Sequence, residues 1–422
     1  MKKFLSNSSL KLSLTGKFSF FLALAITLSL AFLSLKFGKY QDFSYKGKDP
    51  KKVFIVTGEP SADRLGGWFL NKIKQQNPQI TCEAIGSHHL KDAGATLYKN
   101  TSELAIGAVG IGKFLQHIPT LKNSYKQTLK YILKNKFEWV VLVDCPFINI
   151  PLARKLKQKK RHKIKITYIA PPELWLWGSW GIDNALKAYC DQIIVLFPHE
   201  LEWFRKQGIN VDYYGLPFYK DFEKQFKFAE KKENQIAMFI GSRKSEIDLL
   251  LPIFAQVIKK FQENYLNLKI ILPIPKSFTE ETINQIKNRL QKNNINLNKI
   301  TIIHNDEEKF KQIAKCCMAI AKPGTATLEL ALLKVPTIVI YKLPWLSYQF
   351  AKLVFKQEYV SLPNLILNKP VFKELIQHQC IPENIFMNAE KLYLSYLEND
   401  DSYQKVMEEL TTIRTTLKPK KQ

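Results

Sequence analysis

Apolar and polar positions in this chain follow two alternating periods. Short runs with no polar face read as strands buried on both sides: Lys52–Thr57 (KVFIVT), Trp139–Val143 (WVVLV), Lys165–Ile169 (KITYI) and Gln192–Leu196 (QIIVL). Between them apolar residues recur at helical spacing, as in Leu65, Phe69, Leu70 and Ile73 after Gly58, and again from Pro119 to Leu133. Strand, glycine turn and helix open a βαβ unit, and repetition predicts a parallel sheet covered by helices. A charged stretch, Lys220 to Asn234, reads as a domain link. The alternation then restarts with Gln235–Ile240, Lys269–Leu272, Ile300–Ile303, Met318–Ala321 and Thr337–Tyr341. Pro382 to Leu417 reads as helices with a basic tail. The expected fold class is α/β, with two Rossmann-like, doubly wound domains (51–219 and 220–390) facing a cleft. A segment 1–50 precedes them and helices over 391–422 follow. Doubly wound sheets bind ligands at the carboxyl ends of their strands, so chemistry is expected in the turns just after them.

One run departs from both periods. Phe18 to Leu35 carries no charge over 18 residues, enough for one membrane-spanning helix. Lys2, Lys3, Lys11 and Lys17 precede it; Lys36, Lys39, Lys46, Lys48, Lys51 and Lys52 follow. The excess on the carboxyl side expects the main body in the cytoplasm. A cleaved signal peptide is the alternative, but the run is long for one and no small-x-small site follows it.

At 422 residues, 46% of them hydrophobic, the chain has apolar material for two or three cores, which excludes general disorder. Lys and Arg exceed Asp and Glu by 63 to 37, a formal charge of +26. This fits nucleic acid, an acidic membrane surface or phosphorylated substrates, or else lysine spread over solvated faces by compositional drift. The lysines are scattered and no helix-turn-helix, zinc-finger or RNA-binding motif occurs, which argues against nucleic acid. Six cysteines without a C-x-x-C pair or metal-ligand spacing read as reduced thiols, and no metal site or cofactor is expected. Ile106 to Leu133 mixes apolar residues with Lys113, Lys122, Lys126 and Lys130, suiting a membrane interface or a core helix with a solvated lysine face. Pro119 is expected to break it, so that it is not one helix.

The turns after the strands hold the candidate chemistry. Gly58-Glu59-Pro60-Ser61-Ala62-Asp63 is neither a P-loop nor a dinucleotide fingerprint, and its two carboxylates would repel phosphate. Glu59, Ser61 and Asp63 suit sugar hydroxyls, or only cap a helix. Asp144 ends WVVLV and is either a general base facing the cleft or a capping residue; Asn149 orients a ligand or caps. Trp175 and Trp177 follow a Pro-Pro turn and wall the cleft or pack an interface. In the second half, Gly241, Ser242 and Arg243, with Glu246, open a turn suited to a diphosphate. Gly324 and Thr325 begin another helix, with Glu329 one turn in, placed to accept from ribose hydroxyls.

Taken in order, these blocks resemble the lipid-A-disaccharide synthase family over roughly Lys52 to Leu410. The resemblance rests on Thr57–Asp63, Asp144 with Pro146 and Asn149, Pro172 with Trp175 and Trp177, and Phe197-Pro198-His199-Glu200. It continues through Gly215-Leu216-Pro217, Gly241–Arg243 with Glu246, Gly324–Glu329, and Ser361-Leu362-Pro363-Asn364. It implies a GT-B fold and an inverting, metal-independent transfer from UDP-2,3-diacylglucosamine to 2,3-diacylglucosamine 1-phosphate (lipid X) at the cytoplasmic face of the bacterial inner membrane. It also suggests a homodimer. Asp144 matches the proposed catalytic base, Arg243 and the two helix starts would stabilise departing UDP, Glu329 would hold the ribose, and Asn364 matches an active-site position. Phe147 stands where many members carry a second Asp, Thr167 replaces a common His and Gly178 a common Arg. Ala62 and Pro323 replace a usual Gly and Ser. A UDP-sugar epimerase or another GT-B transferase is the alternative.

Overall fold

The computed structural model describes residues 50–100, 111–159, 164–174, 178–179, 181–213, 215–229, 232–241, 244–275, 278–304, 306–354 and 357–418. The apolar run 18–35 lies outside them, and among the described residues no helix is long and apolar enough to cross a membrane.

Two all-parallel sheets organise the chain. The first contains β1 (Lys52–Val56), β2 (Thr81–Gly86), β3 (Thr96–Asn100), β4 (Trp139–Val143), β5 (Lys165–Ile169), β6 (Gln192–Val195) and β7 (Asp212–Tyr213), in the order β3-β2-β1-β4-β5-β6-β7. The second contains β8 (Glu233–Phe239), β9 (Lys269–Pro273), β10 (Ile300–Ile303), β11 (Cys316–Ala321), β12 (Thr337–Tyr341) and β13 (Lys373–Ile376), in the order β10-β9-β8-β11-β12-β13. Each sheet starts in its middle and winds outward both ways. Strand order therefore reverses between β1 and β4, and between β8 and β11. At these points the helices diverge to opposite faces and leave a crevice at the strand ends.

Sequence periodicity predicts β1, β4, β5 and β6 of the first sheet and β8 to β12 of the second. Every residue of β4 and β11 is buried, which is why both read as unbroken apolar runs. β2, β3, β7 and β13 carry no such run. Three of them are sheet edges, short and half-solvated. The expected break at Pro119 does not occur. One helix runs from Ile111 to Lys134 and continues through the proline, although a lost ladder hydrogen bond and a ring clash together cost about 3 kcal/mol there. Pro151 and Pro252 are likewise accommodated inside helices.

The stretch expected as a polar link is folded. It forms helices Tyr219–Glu223 and Phe226–Ala229 and the start of β8. Phe218, Tyr219, Phe222 and Ala229 join one apolar core that runs from beneath the first sheet to beneath the second. The last helix, Asp401–Leu417, adds Leu410, Ile413 and Leu417 to that core. The Tyr219 hydroxyl donates to the Arg414 carbonyl at 3.1 Å, and the Arg414 guanidinium lies 3.8 Å over the Phe226 ring. All six cysteines are free thiols, five of them buried.

Candidate functional site: two crevices and the ion pair between them

At the first crevice the turns after β1 and β4 lie side by side. Glu59 occupies the N-cap position of helix Pro60–Gln76, and Glu59 and Ser61 are half-buried. Asp63 is fully buried and points elsewhere. Its Oδ1 accepts from the Ser87 amide at 2.6 Å, and its Oδ2 from the Ser87 hydroxyl at 2.7 Å and the His89 amide at 2.9 Å. Asp63 thus caps the neighbouring helix His88–Asp92 rather than facing a ligand, because both carboxylate oxygens are committed inside the fold.

Asp144 leaves β4 half-buried and with φ 52°, followed by Cys145 at the same angle; Ala170, leaving β5, also has φ 52°. Left-handed backbone at non-glycine residues costs about 1–3 kcal/mol each and persists only where the surroundings enforce it. Here they do. The Asp144 carbonyl accepts from the buried Tyr168 hydroxyl at 2.6 Å and from the Asn149 amide at 2.7 Å, while the Asp144 amide donates to the Ile169 carbonyl at 3.0 Å. Asn149 also donates to the Val143 carbonyl at 3.2 Å, so it braces the turn that carries Asp144. Glu173, after β5, is a carboxylate that sequence reasoning passed over. Burial, and then the nearby Asp144 charge, push it up to about 7. Burial likewise pushes Glu200 up to about 8, although its Oε2 accepts from the Leu196 and Phe197 amides at 2.9 and 3.0 Å. Trp175 and Trp177 lie outside the described residues.

At the second crevice the turns after β8 and β11 are adjacent. Gly241 has φ +118°, and a Cβ there would meet the Glu246 Cβ at 2.8 Å, so only glycine allows this turn to close on Glu246. Buried Glu246 pairs with Lys322 at 3.0 Å, tying the β8 turn to the β11 turn. Lys322 stands beside the Gly324 motif in sequence, yet only the fold reveals this partner. Ser242 and Arg243 lie outside the described residues. Gly324 (φ +132°) and Thr325 are exposed, and a Cβ on Gly324 would meet nothing within 4 Å, so the start of helix Thr325–Leu332 faces open space. Such a start presents free N–H groups to an anion.

Glu329, one turn into that helix, receives Arg64 Nη1 on Oε1 at 2.9 Å. Arg64 belongs to helix Pro60–Gln76 of the first crevice, 265 positions away, and nothing local to it signals this pair.

Asn364 is held inside the fold by its own amide. It is fully buried; its amide donates to the Phe372 carbonyl at 2.8 Å and to Glu374 at 2.9 Å, and its Oδ1 accepts from the Phe372 amide at 2.7 Å. Glu374 on β13 also accepts from the Val360 amide at 3.0 Å, the Ser361 amide at 2.9 Å and the Ser361 hydroxyl at 2.6 Å. The Ser361–Asn364 block is therefore a hydrogen-bonded knot around Glu374, and the asparagine's amide is committed to it.

The architecture recurs in nucleotide-linked enzymes. An S. aureus MnaA–UDP co-structure matches with TM-score 0.55 at 10% identity, covering 87% of this chain and 92% of that one. Spinosyn rhamnosyltransferase SpnG complexed with thymidine diphosphate matches with TM-score 0.51 at 12% identity, covering 87% and 96%. These likenesses make the fold GT-B-like. Sequence similarity is more specific. Lipid-A-disaccharide synthase of Coxiella burnetii is 29% identical over 376 residues, 87% of this chain and 94% of its own. The Rickettsia prowazekii enzyme of the same name is 30% identical over 355 residues, 82% and 89%. The family model for lipid-A-disaccharide synthetase matches residues 53–421, both crevices included, and the chain belongs to that family.

Proposed function

We propose that this enzyme transfers 2,3-diacylglucosamine from UDP-2,3-diacylglucosamine to the 6-hydroxyl of lipid X, giving a β-1,6-linked disaccharide 1-phosphate and UDP. The observation that carries the residue assignment is the braced Asp144. A carboxylate held on enforced left-handed backbone at a strand-order reversal is built for a task, not for stability. In this reading Asp144 takes the proton of the acceptor hydroxyl as its oxygen attacks the anomeric carbon. The carbon–oxygen bond to UDP breaks through an oxocarbenium-like state, by analogy with glycoside hydrolysis. Arg243 and the open start of helix Thr325–Leu332 offset the charge on departing UDP, with Lys322 and Glu246 joining the two turns. Glu329 accepts from the ribose. Glu59, Ser61 and Asn149 shape the acceptor side.

Phe147 supports an acylated acceptor. This ring, three residues after Asp144, is 68% exposed, and an acyl chain laid along the acceptor side would cover it. Substrates with acyl chains are met at a bilayer, so we place the reaction at the cytoplasmic face of the inner membrane with 18–35 as a retained anchor. A UDP-sugar epimerase is the second reading, since UDP-N-acetylglucosamine 2-epimerases share the fold, but at identities of 13% or so the fold is all they share.

The test is turnover of purified protein with both acylated sugars, wild type beside Asp144→Ala. The variant is expected to lose at least about 100-fold in kcat with intact folding. Activity left untouched removes Asp144 from its role, and consumption of UDP-N-acetylglucosamine without use of the acylated pair selects the epimerase.

A further inference from the structure

The two lobes meet at one side chain in a way the reaction scheme does not use. Arg64 crosses from the first lobe, and its guanidinium lies 4.3 Å from the Phe218 ring centroid, 5.6 Å from Phe222 and 5.4 Å from Phe310. Phe222 and Phe310 in turn pack edge to face at 4.8 Å. Phe218 and Phe222 come from the stretch joining the sheets, and Phe310 from helix Asp306–Lys315 of the second lobe. A planar cation seated among three rings is held in place rather than free to swing. From that seat it takes one oxygen of Glu329, Oε1, and among the described residues no donor takes Oε2. One turn before Glu329, the helix start at Gly324 opens on empty space.

We propose that Arg64 is a positioning residue for nucleotide recognition, supplied to the donor side of the cleft by the opposite lobe. It fixes the Glu329 carboxylate with Oε2 turned toward the ribose hydroxyls, so sugar selectivity of the nucleotide depends on contact between the lobes. This rests on the ribose role of Glu329 given above. A swinging latch that merely blocked Glu329 would need a mobile arginine, and the aromatic seat argues against one.

The experiment measures binding of UDP and of its 2′,3′-dideoxy analogue to the full chain. Wild type is expected to prefer UDP by about 10- to 100-fold, the range for lost hydrogen bonds to a charged group. Glu329→Gln should abolish most of that preference. Arg64→Met should cut it at least about threefold, with thermal unfolding confirming the fold. Arg64→Lys, whose shorter point charge stacks poorly on rings, should be intermediate, and it decides the matter if the Met variant does not fold. Full preference in the Arg64 variants beside a Glu329→Gln that has lost it overturns the role of Arg64 and leaves the ribose role standing. No preference in wild type overturns the ribose role and Arg64 with it. Tighter UDP binding by Arg64→Met overturns positioning in favour of a blocking contact.

Discussion

Glu200 is buried and Glu173 half-buried, and desolvation raises both, Glu173 to about 7 and Glu200 to about 8. An acid whose folded value lies above its unfolded value of 4.5 binds more protons in the native state. Stability therefore falls as pH rises from about 4.5 to about 8, and the loss is complete above that window. For Glu173 the contribution is on the order of 1–3 kcal/mol. Thermal unfolding should show a lower Tm near pH 8.5 than near pH 6, and Glu173→Gln should flatten part of that slope. An unaltered slope would mean that Glu173 titrates normally. The same carboxyl stands close enough to Asp144 for the charges to interact, so Glu173→Gln should also move the pH dependence of turnover. At this scale the sequence revealed residue types but not their commitments. Asp63 looked like Glu59 or Asp144 on spacing, and only the fold shows the three donors that commit it to the interior.

Among the elements, the short helix after Ser361 shows how a family motif can be structural. Four hydrogen bonds converge on Glu374 from Val360, Ser361 and Asn364, and two more join Asn364 to the Phe372 backbone. Asn364→Ala leaves the buried Phe372 amide and carbonyl unpaired, a cost of about 1–3 kcal/mol. The expected outcome is a Tm lowered by several degrees with UDP affinity of the folded protein within about twofold of wild type, read by calorimetry. A stable variant that has lost UDP binding would return Asn364 to the site. The helix Ile111–Lys134 teaches a related lesson. A proline in an apolar pattern signals a boundary, yet the element continues through it, so a cost of about 3 kcal/mol at one position does not by itself end a helix of 24 residues.

For the whole molecule, the net charge and the proposed anchor lead to separable predictions. Binding to anionic bilayers through the formal charge of +26 would be screened by salt, whereas binding through an inserted apolar run of 18 residues would not. Protein lacking residues 1–49 should sediment with anionic vesicles at low salt and be released at about 0.5 M salt, while the full chain stays bound. Release of both forms alike would remove 18–35 as an anchor. The lobes themselves are tied by a continuous apolar core and by Arg64, so the cleft is a property of the assembled chain and of neither sheet alone.

Local pattern was enough for nine of the thirteen strands, for the turns that follow them and for the family to which those turns point. Strands buried on both faces leave unbroken apolar runs, and turns need glycine, proline or capping residues at fixed places. It could not determine which turns are neighbours, because strand order depends on how the chain crosses over and not on any local pattern. Nor could it tell a ligand-facing carboxylate from a structural one, since that depends on donors brought in from far along the chain: the Asp63 knot, the Glu374 knot and the arginine that reaches Glu329 exist only once the lobes have packed.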